Sequence, residues 1–254
     1  MTRWLNAAAA GLLGVLAVMT HASARAAEIV VLTNLGVVSA VRDLAPAFER
    51  ASGHKVIVSF ELGNAMMQKI NSNAPADVVT QTPDVIDSLI KQGKVVGERL
   101  DFARAGIGVA VKAGAPKPDI GSADAFKRSM LAAKSSAYSR AGASGVYVAN
   151  RMERLGIADQ VKDRVKLVDG VPVAELVAKG DVEIGMQQIN VILPVAGIDY
   201  VGPLPAELQG YVVFAAGILA VSKAPEAARA MAQFMAAPEA APLIRKSGME
   251  PAQR

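Results

Sequence analysis

The chain has 254 residues, with 27 Lys and Arg against 23 Asp and Glu, and no cysteine. That composition excludes disulfides, thiolate metal sites and a thiol nucleophile. The formal charge of +4 is too mild and too dispersed for a nucleic-acid partner.

The first 26 residues read as an export signal. Arg3 gives a positive start, and Ala7 to Met19 is an apolar run shorter than a membrane span needs. Ala22-Ser23-Ala24 and Ala24-Arg25-Ala26 both fit a small-x-small cleavage site, so cleavage near Ala24 or Ala26 is expected. No cysteine is present to carry a lipid. About 228 residues would remain, enough for one large domain or two lobes. Removing Arg3 and Arg25 leaves 25 basic and 23 acidic residues.

Glu28–Leu32 reads as a buried strand, followed by the turn Thr33-Asn34-Leu35-Gly36. Val37, Val41, Leu44, Ala45 and Phe48 then share a helical face, which Gly53 ends. Lys55–Phe60 is a β-branched strand, Glu61-Leu62-Gly63-Asn64 a break, and Ala65–Ile70 a helix. Ala76–Thr80 is a third strand, and Pro83 fits the first turn of the helix carrying Val85, Ile86, Leu89 and Ile90. This alternation predicts a mostly parallel sheet.

The pattern changes at Gly106–Lys112, a strand without an immediate helix, and at the Gly- and Pro-rich run 113–118, read as the passage into a second lobe. There the alternation resumes: helix near Asp124–Ala133, strand Ser135–Tyr138, helix Gly145–Leu155, strand Val165–Val168, helix Val173–Ala178 and strand Val182–Met186. Pro194, Gly197, Pro203 and Pro205 mark an irregular return, Val212–Val221 is another strand, and two helices close the chain. An α/β chain that leaves one lobe, builds another and returns has two crossing segments, which can act as a hinge around a cleft. The boundaries expected are 1–26 for the signal, 27–104 with 206–254 for lobe I, and 105–205 for lobe II.

Loops at the carboxyl ends of the strands should line that cleft, each leading into a helix N-terminus suited to an anion. The candidates are Asn34 and Gly36 in the first loop and Gly63 with Asn64 in the second. Ser139, Arg140 and Ser144 follow in the second lobe, and Gln187 with Gln188 end a strand. Arg140 can clamp a carboxylate through its guanidinium fork, and Arg104, before a crossing strand, is a similar candidate. For Asn34, Asn64 and Ser144 a plain helix-capping role competes with ligand contact. Moving a proton between carbons would need a base. His54, the one histidine past the signal, begins a strand at the end away from the cleft, so Glu61 and Asp169 are the better placed carboxylates. Capping or solvation are their ordinary alternatives. No metal cluster, serine triad, nucleotide loop or cofactor motif is present in the sequence.

With these segments placed, the chain resembles the type II periplasmic binding proteins of the molybdate-binding kind. The resemblance covers nearly all of it past the signal, including Pro75-Ala76-Asp77-Val78, the run 225–230 and Pro238-Glu239-Ala240. It implies two lobes, a hinge of two crossing segments, a small anionic ligand, a monomer, and a partner permease of an ABC transporter. The paired serines typical of molybdate binders are replaced by Thr33-Asn34-Leu35-Gly36 and Leu62-Gly63-Asn64-Ala65. The tyrosine expected late in the second lobe is replaced near Gly185-Met186-Gln187-Gln188. The run 115–120, Asp124-Ala125-Phe126-Lys127, the run 143–147, the stretch 180–188 and Gly197-Ile198-Asp199 are similar to the branch that includes periplasmic aconitate isomerase. That likeness implies a carboxylate ligand. Three readings stay open: transport binding protein, aconitate isomerase-like enzyme, or sensor subunit.

Overall fold

A computed structural model describes residues 26–253. The export signal expected over 1–26 lies, apart from Ala26, outside the described residues. The chain is a two-lobed α/β protein built on one hydrogen-bonded path of strands.

The first lobe opens with β1 (Glu28–Thr33), α1 (Val38–Ser52), β2 (Lys55–Phe60), α2 (Gly63–Asn71), β3 (Val78–Gln81) and α3 (Pro83–Lys91). β1 lies between β2 and β3, parallel to both, as the alternation of strands and helices requires. α1 buries Val38, Ala40, Val41, Leu44, Ala45 and Phe48 on one face. It ends where Gly53 takes a left-handed φ of 74°.

β4 (Val95–Lys112) is 18 residues long and belongs to both lobes. Its first part pairs with β9 (Tyr211–Leu219), as far as Gly106 opposite Tyr211. From Ile107 it pairs with β7 (Ile184–Gln188), and from Gly108 with β8 (Ile198–Pro203). This corrects two expectations. The strand begins eleven residues before Gly106, and the passage between lobes lies inside it, at Gly106–Ile107, rather than in the 113–118 turn. Charged residues at 98, 99, 101 and 104 and register shifts in the β4–β9 ladder mask the strand's period in sequence.

The second lobe continues with α4 (Ala123–Ala132), β5 (Ser136–Ser139), α5 (Ala143–Arg154), α6 (Ala158–Val161), β6 (Val165–Val168), α7 (Val173–Lys179) and α8 (Ile189–Ile192). Its sheet order is β4-β7-β5-β6, with β8 on the other side of β4. The return expected to be irregular therefore contains a strand. Pro203 stands at its end, where a missing N–H is tolerated.

α9 (Pro225–Ala236) and α10 (Ala241–Lys246) pack back onto β4 and α1, and β10 (Glu250–Pro251) pairs with β4 at Arg104 and Ala103. Phe48 of α1 and Phe234 of α9 pack with their rings tilted, centroids 5.6 Å apart. Buried Asp77 ties the first lobe together. Its Oδ2 accepts from the Val30 N–H at 2.9 Å, and its Oδ1 from the Ser222 hydroxyl at 2.6 Å.

Candidate functional site: the interlobe cleft

β1 and β2 run side by side, so the loops that follow them are neighbours, and the Glu61 N–H donates to the Thr33 carbonyl at 2.9 Å. β5 and β6 do the same in the second lobe, where the Arg140 N–H donates to the Val168 carbonyl at 2.8 Å. Two contacts bring the loop pairs together. Leu62 Cδ1 lies 3.2 Å from where a Cβ on Gly170 would stand, and Gln188 Nε2 lies 3.0 Å from where one on Gly36 would stand. Of the sequence candidates, Gly36 and Gln188 are thus brought together across the lobes; Asn34 shares the Gly36 loop, Gly63 begins α2 beside Leu62, and Ser144 lies in the first turn of α5.

The chemistry of this cleft is set by unpaired donors. α1 starts after Val37, and its N–H groups at Ser39 and Ala40 meet no acceptor among the described residues. The same holds for Gly63, Asn64 and Ala65 in α2 and for Ala143 and Ser144 in α5. The first N–H groups of a helix have no internal partner, and the dipole adds partial positive charge there. Three helices, two in the first lobe and one in the second, thus start with free donors, which suits each of these N-termini to an anion.

Two side chains add to it. Ser144 is 1% exposed and Gln188 is 4% exposed, and neither has a hydrogen-bond partner among the described residues. Neither polar group is sealed from solvent, unlike Ser39 Oγ and Asn190 Oδ1, so both remain open to a ligand. Gln187 is different. Its Oε1 accepts from the Val173 N–H at 2.8 Å, so it caps the start of α7. Asn34 folds back on its own loop, accepting from the Gly36 N–H at 2.9 Å. Ser139 accepts from the Gly142 N–H at 3.0 Å. Asn64 is exposed at the start of α2.

The charged candidates are already paired. Arg140 donates through Nε to Asp169 Oδ2 at 3.2 Å, with both side chains more than half exposed. Glu61 takes the Lys69 ammonium and the Ser59 hydroxyl, and Lys69 holds the Glu61 carboxyl below the usual carboxylate range against the opposing effect of burial. Arg104 donates to Glu250 at 2.9 Å and lies 4.2 Å over the Tyr211 ring. His54 accepts from the Ala27 N–H at 3.1 Å at the opposite end of the sheet.

Sequence reasoning missed Asn190. This residue is 2% exposed and donates from Nδ2 to the Gly36 carbonyl at 3.0 Å. Its only sequence signal was its place just after the Gln187-Gln188 pair.

Residues 29–250 match the family of bacterial extracellular solute-binding proteins. The chain belongs to that family. An aconitate isomerase from a Pseudomonas species is 35% identical over 228 residues, covering 87% of each chain. The molybdate-binding protein ModA of Azotobacter vinelandii is 29% identical over an alignment covering 98% of this chain and 97% of ModA. A solved structure of the Azotobacter vinelandii periplasmic molybdate-binding protein superimposes with a TM-score of 0.73 at 21% identity, covering 89% of this chain and all of that one. That superposition speaks to the fold alone. It agrees with the type II, two-lobed architecture described above.

Proposed function

We propose that this family member is an exported, monomeric solute-binding protein that takes a small carboxylate between lobe I (27–104 and 206–254) and lobe II (105–205). In this reading it hands its ligand to the permease of an ABC-type transporter. The observation that supports an anionic ligand is the set of unpaired N–H groups at the starts of α1, α2 and α5, with the unpartnered Ser144 hydroxyl and Gln188 amide. The nearby cations are neutralised by Glu61 and Asp169. An anion is therefore held by dipoles rather than by a free positive charge, as suits reversible binding. Seven backbone donors on both lobes can serve a tetrahedral oxyanion or a carboxylate, and the 35% identity to an aconitate isomerase is what favours the carboxylate.

A second reading is favoured by the 35% identity to an aconitate isomerase. Glu61 and Asp169 lie one in each lobe, in loops that meet where Leu62 reaches Gly170. In such an enzyme one carboxylate removes a proton from the carbon beside the double bond. The electron pair shifts to form a new double bond, and the proton returns at the other end. Donors in α1 and α5 would hold the negative charge as it spreads onto the ligand's carboxylate. Lys69 keeps Glu61 ionised but lowers its basicity, so this role requires the Lys69 contact to loosen around the ligand.

Thermal shift with molybdate, sulfate, citrate and both aconitates tests the ligand class, since a ligand that binds only the folded state raises its stability. The expected result is a rise with tricarboxylates and little with molybdate. Molybdate alone raising stability refutes the carboxylate reading. Proton NMR of trans-aconitate with the protein separates the two functions: interconversion to the cis form makes it an enzyme, and binding without change makes it a binding protein.

A further inference from the structure

We infer that Asn190, in the second lobe, is a positioning residue of the cleft that keeps the start of α1 open for an anion. The inference rests on the cleft reading above and assigns a residue that touches no reacting atom.

Asn190 lies two residues beyond β7, in the first turn of α8. Its side chain enters the first lobe between two glycines. The Gly36 carbonyl accepts from its Nδ2 at 3.0 Å. On the other side, a Cβ on Gly248 would stand 3.2 Å from the Asn190 Cα, so the turn after α10 leaves no slack. Its Oδ1 is buried with no partner. Turning the amide over would set Oδ1 against the Gly36 carbonyl, two acceptors face to face, so the donor end is the one that belongs there. A buried amide oxygen without a partner is unfavourable, and an apolar side chain of similar size would avoid that cost. The bond to the Gly36 carbonyl offsets that cost, which is one reason for an asparagine here and leaves place for a second.

The start of α1 supplies one. Ala40 is the third residue of α1, and only if the helix were extended backward would its N–H bond to the Gly36 carbonyl four residues back. Here Val37 has φ −141° and ψ 0°, which lies outside the helical region and turns that carbonyl away from the helix. Asn190 accepts the task of satisfying it from the opposite lobe, and the N–H groups of Ser39 and Ala40 stay unpaired. If the Gly36 carbonyl lost Asn190, it would be free to swing back onto Ala40 and remove one of the donors the ligand uses. The bond also joins the lobes, so the loop is set in its binding form when they meet.

The test uses Asn190→Asp, which keeps the shape but sets an acceptor against the Gly36 carbonyl, and Asn190→Ala. The probes are trans-aconitate and molybdate, followed by stopped-flow binding, with thermal melting alongside. For whichever probe the wild type binds, both variants should release it about tenfold faster while association changes little. Amide hydrogen exchange at residues 39–40 should slow on binding in the wild type and less so in the variants. Variants that melt lower but keep wild-type release rates and exchange overturn the inference and leave the cleft reading intact. A wild type that binds neither probe overturns both. Should the variants fail to fold, the wild-type Asn190 side-chain NH2 resonances decide. They should shift on addition of the bound probe, and resonances that stay fixed overturn the inference.

Discussion

Gln209 lays its side-chain amide along the backbone of Ile107, accepting the Ile107 N–H at 3.0 Å and donating to the Ile107 carbonyl at 2.9 Å. Ile107 is where β4 leaves β9 and has not yet met β8, so an amide side chain fills one missing rung of the ladder. The Leu204 N–H also reaches that carbonyl at 3.0 Å. The two crossing segments are thereby joined at the hinge. The neighbouring Leu208 carbonyl accepts from the Tyr147 hydroxyl at 2.9 Å and from Arg151 at 3.1 Å, which connects the hinge to α5.

Removing that amide should be costly. Gln209→Ala leaves the Ile107 N–H without its partner at a half-buried position, a loss of about 1–3 kcal/mol. Urea unfolding measures it. A variant as stable as the wild type would show that water replaces the amide without loss.

Gly145→Ala should abolish ligand binding. A Cβ at Gly145 would stand 1.6 Å from the Ser139 carbonyl oxygen, a backbone atom that cannot step aside alone. The β5–α5 turn must therefore open, displacing Ser144 and the free N–H groups of α5. Calorimetry with the ligand found by thermal shift checks this, and unchanged affinity would mean that α5 lies outside the site.

Leu62→Ala should leave stability within about 0.5 kcal/mol, because Leu62 is 48% exposed. The same change removes the first lobe's contact with Gly170 at the mouth of the cleft. Ligand should then leave faster while the melting temperature holds. Equal release rates would show that this contact has no part in retention.

Lys69→Met should raise the pKa of Glu61 toward the ordinary carboxylate range, since the Lys69 contact is the largest cause of its depression. The sign follows from linkage. A carboxyl held low in the folded state adds stability above its unfolded pKa, and that stability fades as pH falls through the folded value. The wild type should therefore lose this contribution only at acid pH, and the variant should lack it throughout. Carboxyl titration by NMR is the direct measurement.

The order of strands and helices in the first lobe was legible because each element carries its own period and stop signal, such as the face from Val38 to Phe48 and the turn at Gly53. β8 and the first half of β4 were not. β8 is bounded by Gly197 and Pro203, residues that read as loop, and β4 alternates charges with apolar groups across irregular pairing. Gln187 and Gln188 show the limit at the site. As adjacent amides in sequence they look alike, yet alternation on a strand sends Gln187 to cap α7 and Gln188 toward Gly36.

By itself the sequence determined the α/β class, the two-lobed plan and the loops that start helices, because these depend on local periodicity and on turn residues such as Gly36. Only the tertiary structure decided what those loops can offer a ligand. Whether Arg140 is free or bound to Asp169, and whether Glu61 is a base or the partner of Lys69, depends on groups brought together by the fold. Whether the Gly36 carbonyl turns to Ala40 or to Asn190 is settled across 154 residues of chain. Hydrogen bonds and charges act over a few ångströms, and no spacing along the sequence encodes that distance.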